Sequence, residues 1–150
     1  MKAIIADTSC LIIYHKIDQL RILRELFSDL IVTKEVADEF GEIPDWITIH
    51  EVIDKALYLK LEEELGKGEA SSIALAREFE ESLLIIDERK GRKKAASLGI
   101  ETIGSLGLLL MAKEKGVVKK VREILALIDQ TNFRISPSVR EAVLRQSGEL

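Results

Sequence analysis

Two short, wholly apolar runs each end on an aspartate, and this feature restricts the fold more than any other. Ala3-Ile4-Ile5-Ala6 runs into Asp7, and Leu83-Leu84-Ile85-Ile86 runs into Asp87. Runs of this length with no polar alternation read as strands covered on both faces, as in parallel sheets. Segments of helical period lie between these and other β-type runs. The pattern predicts strands over 2–7, 30–33, 46–51, 83–87 and 101–103. It predicts helices over 8–16, 18–27, 34–40, 54–65, 69–81, 89–98, 105–115 and 118–131, with a last one opened by Ser136-Pro137 in cap-then-proline order. The expectation is an α/β fold, a three-layer α/β/α arrangement around a central, mainly parallel sheet of four to five strands. Residues 1–150 read as a single domain, with no repeat or linker to divide them. In such sheets, sites form beyond the carboxyl ends of the strands, where both aspartates stand.

Composition narrows the chemistry. With 47% apolar and 32% charged residues among 150, the chain can build a core under a charged surface, which excludes a disordered tail or a disulfide-stapled miniprotein. Cys10 is the one cysteine and has no internal partner, which points to a reducing compartment. With only His15 and His50 beside it, a Cys/His zinc centre is excluded, and any metal would need oxygen ligands. The balance of 22 basic and 26 acidic residues gives a net charge of −4, so contact with nucleic acid requires a local basic patch. The longest apolar stretch, 106–112, is too short to cross a bilayer, and the N-terminus carries no signal-peptide pattern. A cytoplasmic protein without membrane contact is expected. One asparagine (Asn132) and three glutamines (Gln19, Gln130, Gln146) amid abundant Glu, Lys and Arg suit a heat-adapted source.

Four acids stand out, each with a plainer alternative. Asp7 or Asp87 alone reads equally as the N-cap of the following helix; the pair at equivalent strand ends points to a shared site. Glu69 follows Gly66-Lys67-Gly68, where an acid gains ~0.3–1 kcal/mol from the helix dipole. It also shares a stripe with Ser72, Ile73 and Ala76, where a carboxylate is costly unless paired or bound to a cation. Glu39 lies in a short helix with Glu35, Asp38 and Glu42 and reads first as part of an exposed polar face, although it borders the apolar stripe better than Asp38 does. Just after Asp87, Arg89, Lys90, Arg92, Lys93 and Lys94 form either a solvated helix face or a phosphate-binding segment. Lys67 and the Lys119-Lys120-Arg122 cluster are weaker candidates.

Taken in order, Asp7-Thr8-Ser9, Val36 through Glu39, Gly68-Glu69-Ala70 and Asp87 resemble the motifs of PIN-domain proteins over nearly the whole chain. The resemblance is to a prokaryotic branch with Gly-Glu-Ala at the third acid. It implies a metal-dependent endoribonuclease related to the VapC toxins, with Asp7, Glu39, Glu69 and Asp87 as catalytic residues and metal ligands. The implied cofactor is Mg²⁺ or Mn²⁺, the substrate RNA, and the partner of a toxin an antitoxin protein. A homodimer is expected, with Ile12, Ile13 and Tyr14 either core or a dimer face. Many family members carry a further aspartate where this chain has Glu88, which then reads as an auxiliary ligand or as the start of a helix. Ser9 and Ser105 are auxiliary candidates, and Ser105 reads equally as an N-cap. Divalent ions supply phosphodiester hydrolysis with a nucleophilic water and charge stabilisation, and two-metal sites hold them ~3.5–4 Å apart. Magnesium takes a few carboxylates plus water, and manganese can replace it. The competing reading is a weak or inactive nucleic-acid-binding module of the same fold in a partner complex. Receiver-like and Asp-x-Asp phosphatase-like domains rank lower, since Ser9 stands where the latter need a second aspartate.

Overall fold

The computed structural model describes residues 2–150. Five strands among the described residues pair in parallel: β1 (Ala3–Ala6), β2 (Leu30–Thr33), β3 (Ile47–His50), β4 (Ser82–Ile85) and β5 (Glu101–Ile103). Their order across the sheet is β3-β2-β1-β4-β5. The two apolar runs that end on aspartate are thus the central neighbours. Their register sets Ala6 opposite Ile85, and the Asp7 amide continues the ladder to the Ile85 carbonyl at 2.9 Å.

Alternation along these strands feeds two cores. Ala6, Leu30, Val32, Leu83 and Ile85 face one side, against α1 (Thr8–Lys16), α2 (Arg21–Leu26), α7 (Ser105–Glu114), α8 (Val121–Ile128) and α9 (Pro137–Ser147). Ile5, Leu84 and Ile86 face the other, against α4 (Lys55–Glu62), α5 (Lys67–Ala76) and α6 (Arg89–Ser97). The remaining helix, α3 (Lys34–Phe40), follows β2 and packs against α1 and α5. Both sheet faces are covered, the three-layer α/β/α arrangement expected of buried parallel strands. No helix of the described residues is long and apolar enough to cross a membrane.

Helix boundaries differ from the sequence reading where a side chain or a turn intervenes. The second helix starts at Arg21 rather than 18, because Asp18 adopts a left-handed φ of 56° in the turn after α1. The fifth starts at Lys67, two residues before the expected 69, with Gly66 at its N-cap. It stops at Ala76 instead of 81, where i→i−3 bonds from Glu78 and Phe79 tighten the chain and the Glu78 carboxylate accepts from the amides of Ile53 and Asp54. The eighth begins at Val121 rather than 118, because the Glu149 carboxylate takes the amides of Val121 (2.6 Å) and Arg122 (3.0 Å).

Glu149 also accepts from Lys113 at 2.8 Å, so one side chain ties the C-terminus to α7 and α8. Burial alone would raise its carboxyl pKa, but Lys113 and the Arg122 and Val121 amides outweigh burial and hold it near 2. A depressed folded-state value stabilises the fold above the ordinary carboxylate range, and that stability is lost as pH falls through about 2. Glu149→Ala should therefore cost about 0.5–2 kcal/mol near neutral pH, the scale of a lost helix cap. Thermal melts should show the gap from wild type closing as pH drops toward that value.

Candidate active site

The sheet order creates the crevice. α1 leaves β1 toward the core of Ala6 and Ile85, whereas α6 leaves the neighbouring β4 toward the core of Ile5 and Ile86. Neighbouring strands whose following helices diverge to opposite faces open a cleft at the carboxyl ends of the strands, the usual ligand position in open α/β sheets. Asp7 and Asp87 stand at that cleft.

Asp7 occupies the N-cap position of α1, yet its side chain makes no capping hydrogen bond and is only 4% exposed. Capping does not account for it. Burial raises its carboxyl pKa to about 7; the Thr8 amide offsets this in part, and Glu69, Glu39 and Asp87 add to the rise. The next residue, Thr8, donates its hydroxyl to Glu39 Oε1 at 2.7 Å, drawing an exposed residue of α3 into the cleft.

Gly68, in the first turn of α5, lies against these same groups. A Cβ at this position would overlap Glu39 Oε1 and come within 2.8 Å of Thr8 Oγ1 and 3.0 Å of Asp7 Oδ1. The absent side chain is what lets α5 reach the two acids. Glu69 follows: its Oε1 accepts the Gly66 amide at 3.2 Å, while Oε2 is buried without a hydrogen-bond partner among the described residues. Burial raises its pKa, the Gly66 amide opposes the rise, and Glu88 and Glu39 reinforce it.

Glu88 accepts the Gly91 amide at 2.8 Å and is the N-cap of α6. The Gly91 and Lys90 amides lower its pKa. Asp87 is held from below: Oδ1 accepts the Ser105 amide at 2.7 Å and Oδ2 the Ser105 hydroxyl at 2.5 Å. The N-cap of α7 is Gly104, so Ser105 orients the carboxylate and does not cap its helix. The fully buried Tyr14 donates to the Ser105 carbonyl at 2.8 Å and secures this support. Nearby Cys10 is buried, and burial pushes its thiol pKa up.

Asp7, Glu39, Glu69 and Glu88 line one pocket with Thr8 and Ser9, and Asp87 lines an adjoining groove bordered also by Ser9 and Glu88. Among the described residues none of these acids forms an ion pair with Lys or Arg. No three Asp, Glu, His or Cys side chains there close on a single point as a ready-made ligand set. Glu39 and Asp87 are instead held by hydroxyl partners of their own. The donors are nonetheless hard oxygens around shared space, one of them unpartnered, and they suit a divalent cation such as magnesium by chemistry.

Of the basic segment, Arg89, Lys90, Arg92 and Lys93 are exposed, and Lys94 lies 3.8 Å from Glu64. Arg92 lines the groove, its Nη1 sharing the space over Gly104 with Asp87 Oδ1. Ile13 and Tyr14 belong to the core, while Ile12 is partly exposed and lines the acidic pocket. Sequence reasoning missed Thr8, Gly68 and Tyr14. Thr8 and Gly68 do stand in the motifs Asp7-Thr8-Ser9 and Gly68-Glu69-Ala70, where only the acids were given a role.

A family model described as a PIN domain matches residues 3–149. No curated protein matches the chain.

Two outcomes test this geometry. Gly→Ala inside a helix ordinarily stabilises by roughly 0.5–1 kcal/mol; Gly68→Ala should forgo that gain, because its methyl group must displace Glu39 Oε1 and Thr8 Oγ1, as read from denaturant unfolding. The Asp7 shift has the opposite sign to that of Glu149. A folded-state value raised to about 7 means the native state holds its proton longer, so stability falls as pH rises from the ordinary Asp value through 7. In EDTA, Asp7→Asn should melt higher than wild type above that pH, with the advantage shrinking in acid. A side chain that only caps would give no such difference.

Proposed function

The chain belongs to the PIN-domain family, a nuclease fold whose members typically use divalent metals, and from that premise we propose that it is a Mg²⁺- or Mn²⁺-dependent endoribonuclease. The observation that carries the reading is the meeting of Asp7 and Glu39 at the Gly68 backbone, beside a buried and unpartnered Glu69 oxygen. Buried carboxylates without a counter-charge are costly and repel one another, and a divalent cation would relieve both penalties. Asp7, Glu39, Glu69 and Asp87 would hold it. When bound, such an ion supplies a water of lowered pKa and neutralises charge building on the phosphoryl oxygens.

The protein's own groups prepare that site. A carboxylate offers about four lone-pair positions; Ser105 takes two on Asp87, which fixes its plane and leaves the others for a ligand. Thr8 fixes one oxygen of Glu39, and the Gly66 amide one oxygen of Glu69. Glu88 caps α6 through Oε2 and lines the same pocket, where it would serve as an auxiliary ligand. Neither histidine lines the pocket: His15 packs on Phe40 and His50 on Phe79, so no imidazole serves as general base. The cations of α6 beside Asp87 would attract the phosphate backbone that the acids repel. Single-stranded RNA is the favoured substrate, since its backbone bends and its bases are accessible. The buried, solitary Cys10 fits a reducing cytoplasm. There the enzyme would act as a toxin restrained by an antitoxin, or as an RNA-processing nuclease.

Purified protein should cleave single-stranded RNA in Mn²⁺ or Mg²⁺ and stop in EDTA. Loss of an outer-shell partner costs roughly 10–100-fold, which is the effect expected of Ser105→Ala on initial rate. Asp7→Ala and Asp87→Ala should each exceed it. Metal binding at these acids without cleavage of any RNA pool would leave the binding-module reading in its place.

A further inference from the structure

The acidic pocket opens into a second groove of about 730 Å³, within the ~300–1,000 Å³ typical of ligand sites. Ser9 and Glu88 border both spaces, and Asp87 lines the groove. Leu106 and Val139 contribute apolar wall, and residues 133–136, which join α8 to α9, form one side. Two arginines line it, Arg92 and Arg134. Among the described residues neither guanidinium has a hydrogen-bond or ionic partner, whereas Arg21, Arg140 and Arg145 each pair with a carboxylate.

The segment that carries Arg134 is anchored. Thr131 donates to the Ile128 carbonyl at 2.6 Å and accepts the Phe133 amide at 3.1 Å. Ser136 caps α9, and Arg140 of α9 pairs with Asp129 at the end of α8. The Phe133 ring is partly buried against the core and still lines the groove. Free guanidinium groups beside an aromatic ring are the chemistry of single-strand binding: the forked donors match phosphate, and a base stacks on a ring whatever its identity.

Building on the ribonuclease reading, we propose that this groove is the channel through which the single-stranded RNA substrate extends from the acids. Arg92 and Arg134 each bind a backbone phosphate, and Phe133 receives a base. A polyanion drawn to an acidic centre needs cations immediately beyond it, and the groove that shares Ser9 and Glu88 with that centre presents two unpaired guanidiniums.

The test is equilibrium binding of a short fluorescein-labelled oligouridine to the full-length protein in EDTA, over a salt series. Arg134→Ala and Arg92→Ala should each weaken binding about tenfold, the loss of one charge-assisted hydrogen bond. Each should also reduce the slope of log K against log salt by about 0.7, the single-strand value for one phosphate. Phe133→Leu should weaken binding and leave the slope unchanged. Arg134 is exposed, so its variants should melt with wild type. Unchanged affinity and slope in Arg134→Ala, and again in the charge-reversed Arg134→Glu, would overturn the proposal and point to a protein partner for the groove. Absence of wild-type binding would overturn it too. The two readings fail separately. Binding that responds to Arg134 without Mn²⁺-dependent cleavage refutes the ribonuclease and keeps the groove as a nucleic-acid surface. Cleavage with KM unchanged in Arg134→Ala refutes the groove alone.

Discussion

Asp7 lies almost wholly out of water, with Glu39, Glu69 and Asp87 about it and no lysine or arginine of the described residues paired to any of them. Every other feature of the sheet's carboxyl edge answers to that crowding. Small neutral donors take the place of salt bridges: the Thr8 hydroxyl on Glu39, the Ser105 amide and hydroxyl on Asp87, the Gly66 amide on Glu69. Such donors orient a carboxylate without supplying a counter-charge. The apolar clusters on both faces of the sheet must outweigh the cost of that crowding.

The second requirement is close approach. From Gly68 to Ala76 every residue except Glu69 is buried, and most are Gly, Ala or Ser. This helix packs at once against β1, β2, β4, α3, α4 and α6, and larger side chains would hold it away from all of them. Thr33 and Ser71 share a buried hydrogen bond at 2.7 Å, and Ser71 also bonds the Gly68 carbonyl at 3.1 Å. Those bonds fix the first turn of α5 against β2 and carry Gly68 and Glu69 to the acids. A run that reads as good helix formers is thereby also the element that assembles the pocket.

Charge is segregated over a short distance. The chain is mildly acidic as a whole, but the residue after Asp87 caps a helix whose exposed face is basic, and the groove beyond adds Arg134. Acids within and cations outside are the arrangement that the proposed joint binding of a metal ion and a polyanion would need, because each part attracts what the other repels.

By itself the sequence determined the alternation of strands and helices, the two strand ends that carry aspartate, and the helix starts at Thr8, Lys34 and Pro137. These depend on signals that lie within a few residues of one another: an apolar run, a cap, a glycine stop. The family motifs extended that reading to Glu39 and Glu69, whose local pattern left an exposed face and a dipole-favoured helix start as open alternatives. Tertiary structure alone decided that Glu39 turns inward, since its hydroxyl donor is 31 positions away, and that Ser105 serves Asp87 across 18. It also decided that Gly68 is a point of contact between elements and that residues 133–136 reach the same cleft. Partners so distant in the chain meet only once the strand order sets β1 beside β4 and sends α1 and α6 to opposite faces, and no local periodicity encodes that order.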